Sequence, residues 1–169
     1  MQEPVVIVDH DPTWRVTFEA LRDLILSGLR GLPVAVEHVG STAVPDLAAK
    51  PIIDMDVVVP TVAHVAEAIR RLQTMGYVHE GDLGITGREA FRTPQGDPKH
   101  HLYLCIADSS ALRAHRTFRD RLRDDPSLAR RYADLKRRLA VEHGADRASY
   151  TESKSTFIRD VLDAGESEP

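Results

Sequence analysis

Two aspartates, Asp54 and Asp56, interrupt an apolar run at residues 52–59 whose length and β-branched content are typical of a buried strand. Because successive side chains of a strand point to opposite faces, both carboxylates project from one face, two residues apart. Two like charges inside a sheet are costly unless a cation or a hydrogen-bonding partner compensates them. The pattern predicts that the aspartates bind divalent cations, or that the strand ends there and both carboxylates reach solvent or pair with Arg and Lys.

A short turn precedes that strand. Residues 34–39 are predicted to form a strand that ends at Gly40-Ser41-Thr42. Backbone N–H groups of such a turn can approach phosphate oxygens closely, and the Ser41 hydroxyl can donate to one of them. Mg²⁺ is usually bound by one or two carboxylates together with substrate phosphates. The turn and the aspartates together indicate metal-dependent phosphoryl or nucleotidyl transfer, whereas a Gly-Ser pair alone is typical of any turn.

Helical periodicity surrounds these strands. Apolar residues at three- and four-residue steps predict a helix over residues 13–29, which Asp11 and Pro12 can begin. A second helix is predicted over residues 61–75, then a hairpin near Ile85 and Phe91, a loop at 93–99 and a strand at 101–106. Three helices are predicted in the last third, over residues 109–124, 126–143 and 148–164. The order of elements favours a mixed α/β (α+β) fold with a helical C-terminal third.

Length and composition narrow the class of protein. The 169 residues are enough for one domain, and we expect residues 1–164 to form it and residues 165–169 to be a disordered tail. Cys105 is the only cysteine, which excludes an intrachain disulfide, and no apolar run is long enough to span a bilayer. We therefore expect a cytoplasmic protein without a membrane partner. A net charge of −4 argues against long nucleic acid as a partner and leaves small anions open.

Motifs along most of the chain resemble the GrpB family. The resemblance rests on Glu-His-Val-Gly-Ser-Thr-Ala-Val-Pro at residues 37–45 and Ala-Lys-Pro-Ile-Ile-Asp at residues 49–54. It extends to His-His-Leu-Tyr at 100–103, Phe-Arg-Asp-Arg-Leu-Arg at 118–123, and Tyr150 with Lys154 and Phe157. This family resembles the nucleotidyltransferase superfamily. The resemblance implies a nucleotidyltransferase-like mixed β-sheet flanked by helices, a Gly-Ser turn leading into a helix, and an Asp-x-Asp strand for metal.

Two departures from the family pattern bear on the site. Asp46 stands where the family usually has Gly, which adds a carboxylate in the loop after Pro45 and is expected to place it at the mouth of the site. The superfamily pattern also has a third carboxylate on a later strand, where this chain has His101 and Tyr103. Since adjacent strand residues face opposite ways, only one of His100 and His101 can join the aspartates, and we favour His101. Because imidazole is a poorer ligand for Mg²⁺ than for Mn²⁺ or Zn²⁺, a site that includes His101 favours a softer cation.

The resemblance and the residues together define candidate sites. Asp54 and Asp56 are the candidate catalytic residues, and with His101 they are the candidate metal ligands. The candidates for nucleotide or phosphate binding are Gly40, Ser41, Thr42, Lys50, Arg119 and Lys154. The candidates for contact with a base or an acceptor are His38, Tyr103 and Tyr150. For Lys50, Arg119 and Lys154 the alternative is an exposed or ion-paired side chain, and for His38 and Tyr103 it is ordinary packing.

Three functions are compatible with these candidates. The first is a nucleotidyltransferase-like enzyme that uses Mg or Mn, a nucleoside triphosphate and an acceptor that the sequence does not identify. The second is a catalytically silent module that binds a nucleotide or another phosphorylated metabolite, and the missing third carboxylate favours it. GrpB-like segments also occur joined to dephospho-CoA kinase, which the resemblance allows as a hint of a coenzyme A partnership. The third is a metal-dependent phosphoesterase, because two aspartates and a histidine can also activate water.

Overall fold

The structure is a computed structural model that describes residues 4–94, 96, 98–143 and 146–166. Its strands are β1 (Ala35–Val39), β2 (Ile53–Val59), β3 (Val78–Gly81), β4 (Arg88–Arg92) and β5 (His100–Ile106). They form a mixed sheet in the order β1-β2-β5-β4-β3, in which β2 and β5 are parallel and the other neighbouring pairs are antiparallel. Its helices are α1 (Thr13–Gly28), α2 (Val65–Thr74), α3 (Ser110–Asp124), α4 (Pro126–His143) and α5 (Arg147–Glu166). The predicted mixed α/β fold with a helical C-terminal third is confirmed.

One face of the sheet is apolar and packs against α1 and α2. Met55 and Val57 of β2 and Leu102 of β5 are fully buried there, in one cluster with Ile25 of α1 and Leu72 of α2. Full burial of one such side chain stabilises the fold by roughly 1.5–3 kcal/mol. Because side chains alternate along a strand, this packing turns Asp54 and Asp56 toward the opposite face.

The opposite face is covered by α3, and α4 and α5 pack on α3. Phe118 of α3 makes an edge-to-face contact with Tyr132 of α4, and Tyr132 stacks on Phe157 of α5, each with ring centroids 5.1 Å apart. The same cluster includes Val44 and Leu47 from the loop after β1. The helical third therefore closes over the loop that carries the Gly-Ser turn.

Two element ends differ from the sequence prediction. The helix predicted over residues 61–75 opens with a 3₁₀ turn at Val62–His64, and the Thr61 hydroxyl lies 3.1 Å from the His64 Nδ1 atom instead of capping a backbone N–H. The predicted disordered tail includes Gly165, yet α5 contains Gly165. Arg121 of α3 donates to the Val161 carbonyl at 3.1 Å and so holds the end of α5 against α3. Residues 167–169 of the predicted tail, and residues 95 and 97 of the predicted loop, lie outside the described residues.

Elsewhere the predicted elements match closely. Helix α1 begins at Thr13, whose backbone N–H donates to the Asp11 carboxylate at 2.8 Å. Ser109 accepts from the Leu112 backbone N–H at the start of α3, as a typical N-cap does. Among the described residues, no helix combines the length and apolarity needed to cross a membrane.

Candidate functional site

A cavity of about 490 Å³ lies between the start of β2 and β5, the turn after β1, and the helices α3, α4 and α5. Its volume falls in the range of small-molecule binding sites. The predicted site residues that line it are Gly40, Ser41, Thr42, Lys50, Asp54, His101, Tyr103, Tyr150 and Lys154. The predicted residues outside its lining are His38, Asp56 and Arg119. The fold thus brings most of the candidates to one cavity.

One wall of the cavity is formed by Asp54 and His101. The parallel register of β2 and β5 sets these residues opposite each other, and the His101 Nδ1 atom donates to Asp54 Oδ1 at 2.7 Å. The Asp54 side chain keeps 29% of its surface exposed and that of His101 keeps 49%. An exposed carboxylate oxygen beside an imidazole is a ligand set that suits a divalent cation.

The Gly-Ser turn contacts this wall directly. Gly40 has φ +72, and a Cβ atom at that position would lie 2.3 Å from Asp54 Oδ2. Gly40 therefore serves two requirements, a left-handed backbone conformation and an approach to the carboxylate that no side chain permits. The Gly-Ser turn and β2 are therefore in direct contact at this wall of the cavity.

Asp56 is placed differently from Asp54. Its side chain is fully buried, and the Nδ1 atom of His115 on α3 donates to its Oδ2 atom at 2.7 Å. Its Oδ1 atom has no hydrogen-bond partner among the described residues. His115 itself lines the cavity, so it connects the buried carboxylate to the cavity surface. Each of the two aspartates is paired with one histidine.

A cluster of lysines forms the other side of the cavity. Lys136 of α4 is 3% exposed, and its Nζ donates to Ser41 Oγ at 2.9 Å and to the Ala48 carbonyl. Burial, followed by the charge of Lys154, lowers the pKa of Lys136 to about 7. Burial, followed by the charge of Lys50, lowers the pKa of Lys154 to about 8. The charges of Lys154 and Lys50 thus disfavour protonation of Lys136, and an anion bound beside them would favour it.

Aromatic rings support this lysine cluster. The Nζ atoms of Lys50 and Lys154 lie 5.2 and 4.7 Å from the centre of the Tyr150 ring, and Lys136 lies 4.6 Å from that of Tyr132. These are cation–π distances, at which the ring faces attract the ammonium groups. Burial raises the pKa of Tyr150 to about 12, so its phenol stays neutral at physiological pH.

His38 lies on the apolar face of the sheet rather than on that of the aspartates. It pairs in register with Met55, its ring stacks on Phe18 at 4.5 Å, and its Nε2 atom lies 2.8 Å from Thr42 Oγ1. Burial lowers its pKa to about 4, which keeps the ring neutral. His38 therefore supports the Gly-Ser-Thr turn from behind.

Arg119 faces β1 instead of the cavity. It donates to Asp120 at 2.7 Å, to Glu37 at 3.2 Å and to the His38 carbonyl at 3.1 Å. The Arg119 guanidinium, a candidate for phosphate binding in the sequence analysis, is therefore hydrogen-bonded to two carboxylates and a carbonyl. Tyr103, by contrast, lines the cavity, with the Arg88 guanidinium 4.5 Å from its ring centre.

Asp46 lies away from the mouth of this cavity. It lines a second cavity with Arg123 and Arg130, which corrects the position expected from the sequence. Its φ is +61, a left-handed conformation that glycine adopts without strain. The departure therefore affects the backbone of the loop after Pro45 and adds no carboxylate to the lysine-lined cavity.

Lys136 and His115 are the site residues that sequence reasoning missed. Lys136 lies in a helix with Arg130, Arg131, Arg137 and Arg138, so charge alone does not single it out. A usable signal is its helical spacing from the buried Tyr132 and Leu139, which puts a lysine on an apolar face. His115 likewise lies one turn before the buried Phe118 on α3.

Comparisons with known proteins identify related sequences and folds. The profile of the GrpB protein family matches residues 4–164. The UPF0157 protein YqkA of Bacillus subtilis is 32% identical over 155 residues, which are 92% of this chain and 45% of that protein. A dephospho-CoA kinase of Mycolicibacterium paratuberculosis is 23% identical over 183 residues, covering 94% of this chain and 45% of the kinase. The chain thus spans less than half the length of either protein.

Solved structures give the fold comparison. The conserved protein GrpB from Enterococcus faecalis superimposes with a TM-score of 0.84 at 32% identity, over 94% of this chain and 96% of that one. The Cid1 poly(U) polymerase bound to Mg 3'-dATP gives a TM-score of 0.58 at 12% identity, over 87% of this chain and 49% of the polymerase. The second similarity shows a nucleotidyltransferase-like fold, and at that identity it shows the fold alone.

Proposed function

This chain belongs to the GrpB family, and we propose that its cavity binds a nucleoside triphosphate with a divalent cation and transfers the nucleotidyl group to an acceptor hydroxyl. One observation carries the proposal. The lysine cluster of Lys50, Lys136 and Lys154 and the carboxylate of Asp54 line the same cavity of about 490 Å³. Such a cavity suits a ligand that brings several negative charges together with a cation, and a magnesium nucleotide has both.

The lysine cluster supports binding of the phosphates. Ser41 and Lys136 are already hydrogen-bonded at 2.9 Å, so a phosphate oxygen entering beside Ser41 also meets the Lys136 ammonium group. An anion there stabilises the charged forms of Lys136 and Lys154, whose pKa values of about 7 and 8 are lowered chiefly by burial and then by neighbouring lysine charges. Backbone N–H groups of the Gly-Ser turn add neutral donors.

The residues on the opposite wall fit a divalent cation. Asp54 offers a partly exposed carboxylate and His101 an imidazole beside it. These are the residues that would hold the cation. When bound, a divalent cation would neutralise charge on the phosphate oxygens of the nucleotide.

The proposed transfer gives each of these groups a role. The acceptor oxygen attacks the α-phosphorus, the bond from the α-phosphorus to the oxygen that bridges to the β-phosphate breaks, and pyrophosphate leaves. Asp54 accepts the proton of the acceptor hydroxyl, and its hydrogen bond with His101 holds the carboxylate in place. The lysine cluster stabilises the negative charge that develops on the leaving pyrophosphate.

A second candidate function is binding without turnover. Strand β5 carries His101 and Tyr103 where the superfamily pattern has a third carboxylate, and Asp56 is fully buried against His115. Both observations favour a module that retains a nucleotide or another phosphorylated metabolite. The similarity to a dephospho-CoA kinase makes coenzyme A and its precursors ligands to include in the test.

The test is a turnover assay with nucleoside triphosphates labelled at the α-phosphate, with Mg²⁺ or Mn²⁺ and a panel of small hydroxyl acceptors. If the protein is a transferase, the assay should give a labelled acceptor product and pyrophosphate. Asp54→Asn should lower the rate by at least about 100-fold, because loss of a metal contact removes several kcal/mol of transition-state stabilisation. Labelled nucleoside monophosphate, formed when water instead of an acceptor hydroxyl attacks the α-phosphorus, would indicate a hydrolase. Retention of ligand without any product would indicate the binding module.

A further inference from the structure

A second group of possible metal ligands lies behind the cavity. Asp56 of β2, Cys105 of β5 and His115 of α3 each offer one ligand atom, and these three atoms all lie within 4.8 Å of one another. Three separate elements bring them together on the face of the sheet that α3 covers. The spacing of positions 56, 105 and 115 matches no metal-binding sequence motif, so the cluster is recognisable only in the folded structure.

The surroundings leave the Asp56 carboxylate incompletely compensated. Its side chain is fully buried, and its Oδ1 atom has no hydrogen-bond partner among the described residues. Val58 and Leu112 pack beside Cys105, and Arg88 is opposite Cys105 in the register of β4 and β5. The nearby Arg116 donates to Glu37 at 3.0 Å, so it brings a positive charge near Asp56 without a hydrogen bond to the Oδ1 atom of Asp56. A buried carboxylate oxygen without a partner is costly, and a bound cation would remove that cost.

We propose that Asp56, Cys105 and His115 bind a thiophilic divalent metal ion of the zinc class. A thiolate, an imidazole and a carboxylate are ligands that zinc uses, and a set of three protein ligands leaves one coordination position open. Binding would release the proton of the Cys105 thiol to solvent, and the thiolate and the Asp56 carboxylate would then neutralise the charge of the ion. Because His115 also lines the cavity, it marks the side from which the ion enters.

This site is distinct from the cation that accompanies a nucleotide. The buried ion uses Asp56, whereas Asp54 and His101 lie at the cavity wall and keep the cation that binds with phosphate. Binding of the buried ion requires no nucleotide. The proposed metal site can therefore be tested, and can fail, independently of the proposed transferase activity.

The experiment is a titration of tag-free, chelator-treated protein with Co²⁺, which replaces zinc and absorbs light. Cys105 is the only cysteine in the 169 residues, so a thiolate-to-cobalt charge-transfer band can arise only from this position. We expect one equivalent of Co²⁺ to produce that band and Zn²⁺ to abolish it by displacement. Cys105→Ser should remove the band.

A matched pair of variants separates the metal site from general stability. His115→Gln and His79→Gln each remove a histidine that is 27% exposed and hydrogen-bonded to a carboxylate, at 2.7 Å to Asp56 and at 2.6 Å to Glu89. Only His115→Gln should weaken metal binding, and by more than the roughly 10–100-fold that loss of an outer-shell partner costs, since it removes a direct ligand. Circular dichroism of the metal-free proteins shows whether each variant is folded.

Three results would overturn the proposal. The first is folded wild-type protein that binds no stoichiometric Co²⁺ or Zn²⁺. The second is Co²⁺ binding without a thiolate band. The third is metal binding that Asp54→Asn abolishes and Cys105→Ser leaves intact, which would put the ion at the cavity wall.

Discussion

The backbone of Gly40 lies directly against the carboxylate of Asp54, so close that a Cβ atom at residue 40 would be 2.3 Å from Asp54 Oδ2. This contact joins the turn proposed to bind phosphate to the strand proposed to bind the cation. Both halves of the candidate site consequently depend on one glycine.

Gly40→Ala should damage the site beyond its effect on the backbone. Gly31 is the matched control, because its φ is +88 and a Cβ atom there would meet no atom within 4 Å. Gly31→Ala should lower the free energy of unfolding by roughly 1–2 kcal/mol, the cost of a left-handed conformation. Gly40→Ala should lower it further and abolish nucleotide binding. Urea unfolding and calorimetry check both variants; equal losses of stability and unimpaired binding would contradict the contact with Asp54.

The stability of the protein should depend on pH through Lys136. Burial lowers its pKa from 10.5 to about 7 in the folded state. Between these pH values the unfolded chain binds more protons, so this group makes the free energy of unfolding rise as the pH rises from about 7 to about 10.5. Lys136→Met should flatten that rise in urea titrations at several pH values. Parallel profiles of variant and wild type would show that Lys136 is not held at a depressed pKa.

Binding of a polyphosphate should be accompanied by proton uptake. At about pH 8 Lys136 is mostly neutral and Lys154 is partly neutral, and an anion beside them raises both pKa values. Calorimetry in two buffers of different ionisation enthalpy measures the protons taken up per ligand. Lys136→Met should reduce that number, whereas Arg22→Met, on the exposed face of α1, should leave it unchanged. Identical enthalpies in both buffers would rule out this coupling.

Arg119 should contribute to stability rather than to affinity. Its guanidinium donates to Glu37, Asp120 and the His38 carbonyl, and its side chain is 13% exposed. Arg119→Met leaves these acceptors short of donors, which should cost about 1–3 kcal/mol of unfolding free energy. Ligand affinity measured on the folded variant should stay within about twofold. A tenfold loss of affinity with unchanged stability would instead put Arg119 on the phosphate, as the sequence pattern alone suggested.

The sequence predicts the fold well where its pattern is local. Asp54 and Asp56 interrupt an apolar run, and alternation along the strand is enough to put both on one face. Gly40, 14 positions before Asp54 in the sequence, is recognisable as part of the same site through its family motif.

The sequence does not predict the contacts that form when α3, α4 and α5 pack over the sheet. Lys136 donates to Ser41, 95 positions earlier in the chain. In the sequence it stands among arginines of α4, so charge alone does not mark it as a site residue. The burial of Asp56 and its bond to His115 depend on where α3 crosses the sheet, which no residue spacing states. For the same reason Asp54 and Asp56, equivalent in the strand pattern, have different surroundings in the fold.

The most direct test of the account is a thermal-shift measurement with ATP, GTP, CTP, UTP and coenzyme A, each with Mg²⁺, Mn²⁺ or chelator. A ligand at about 100 times its dissociation constant adds roughly 2.7 kcal/mol of stability, which corresponds to several degrees for a chain of this size. We predict a shift with a nucleoside triphosphate that requires the divalent cation and is lost in both Asp54→Asn and Lys136→Met. Absence of a shift with every nucleotide, or a shift that persists in both variants, would contradict the claim that this cavity binds a metal–nucleotide complex.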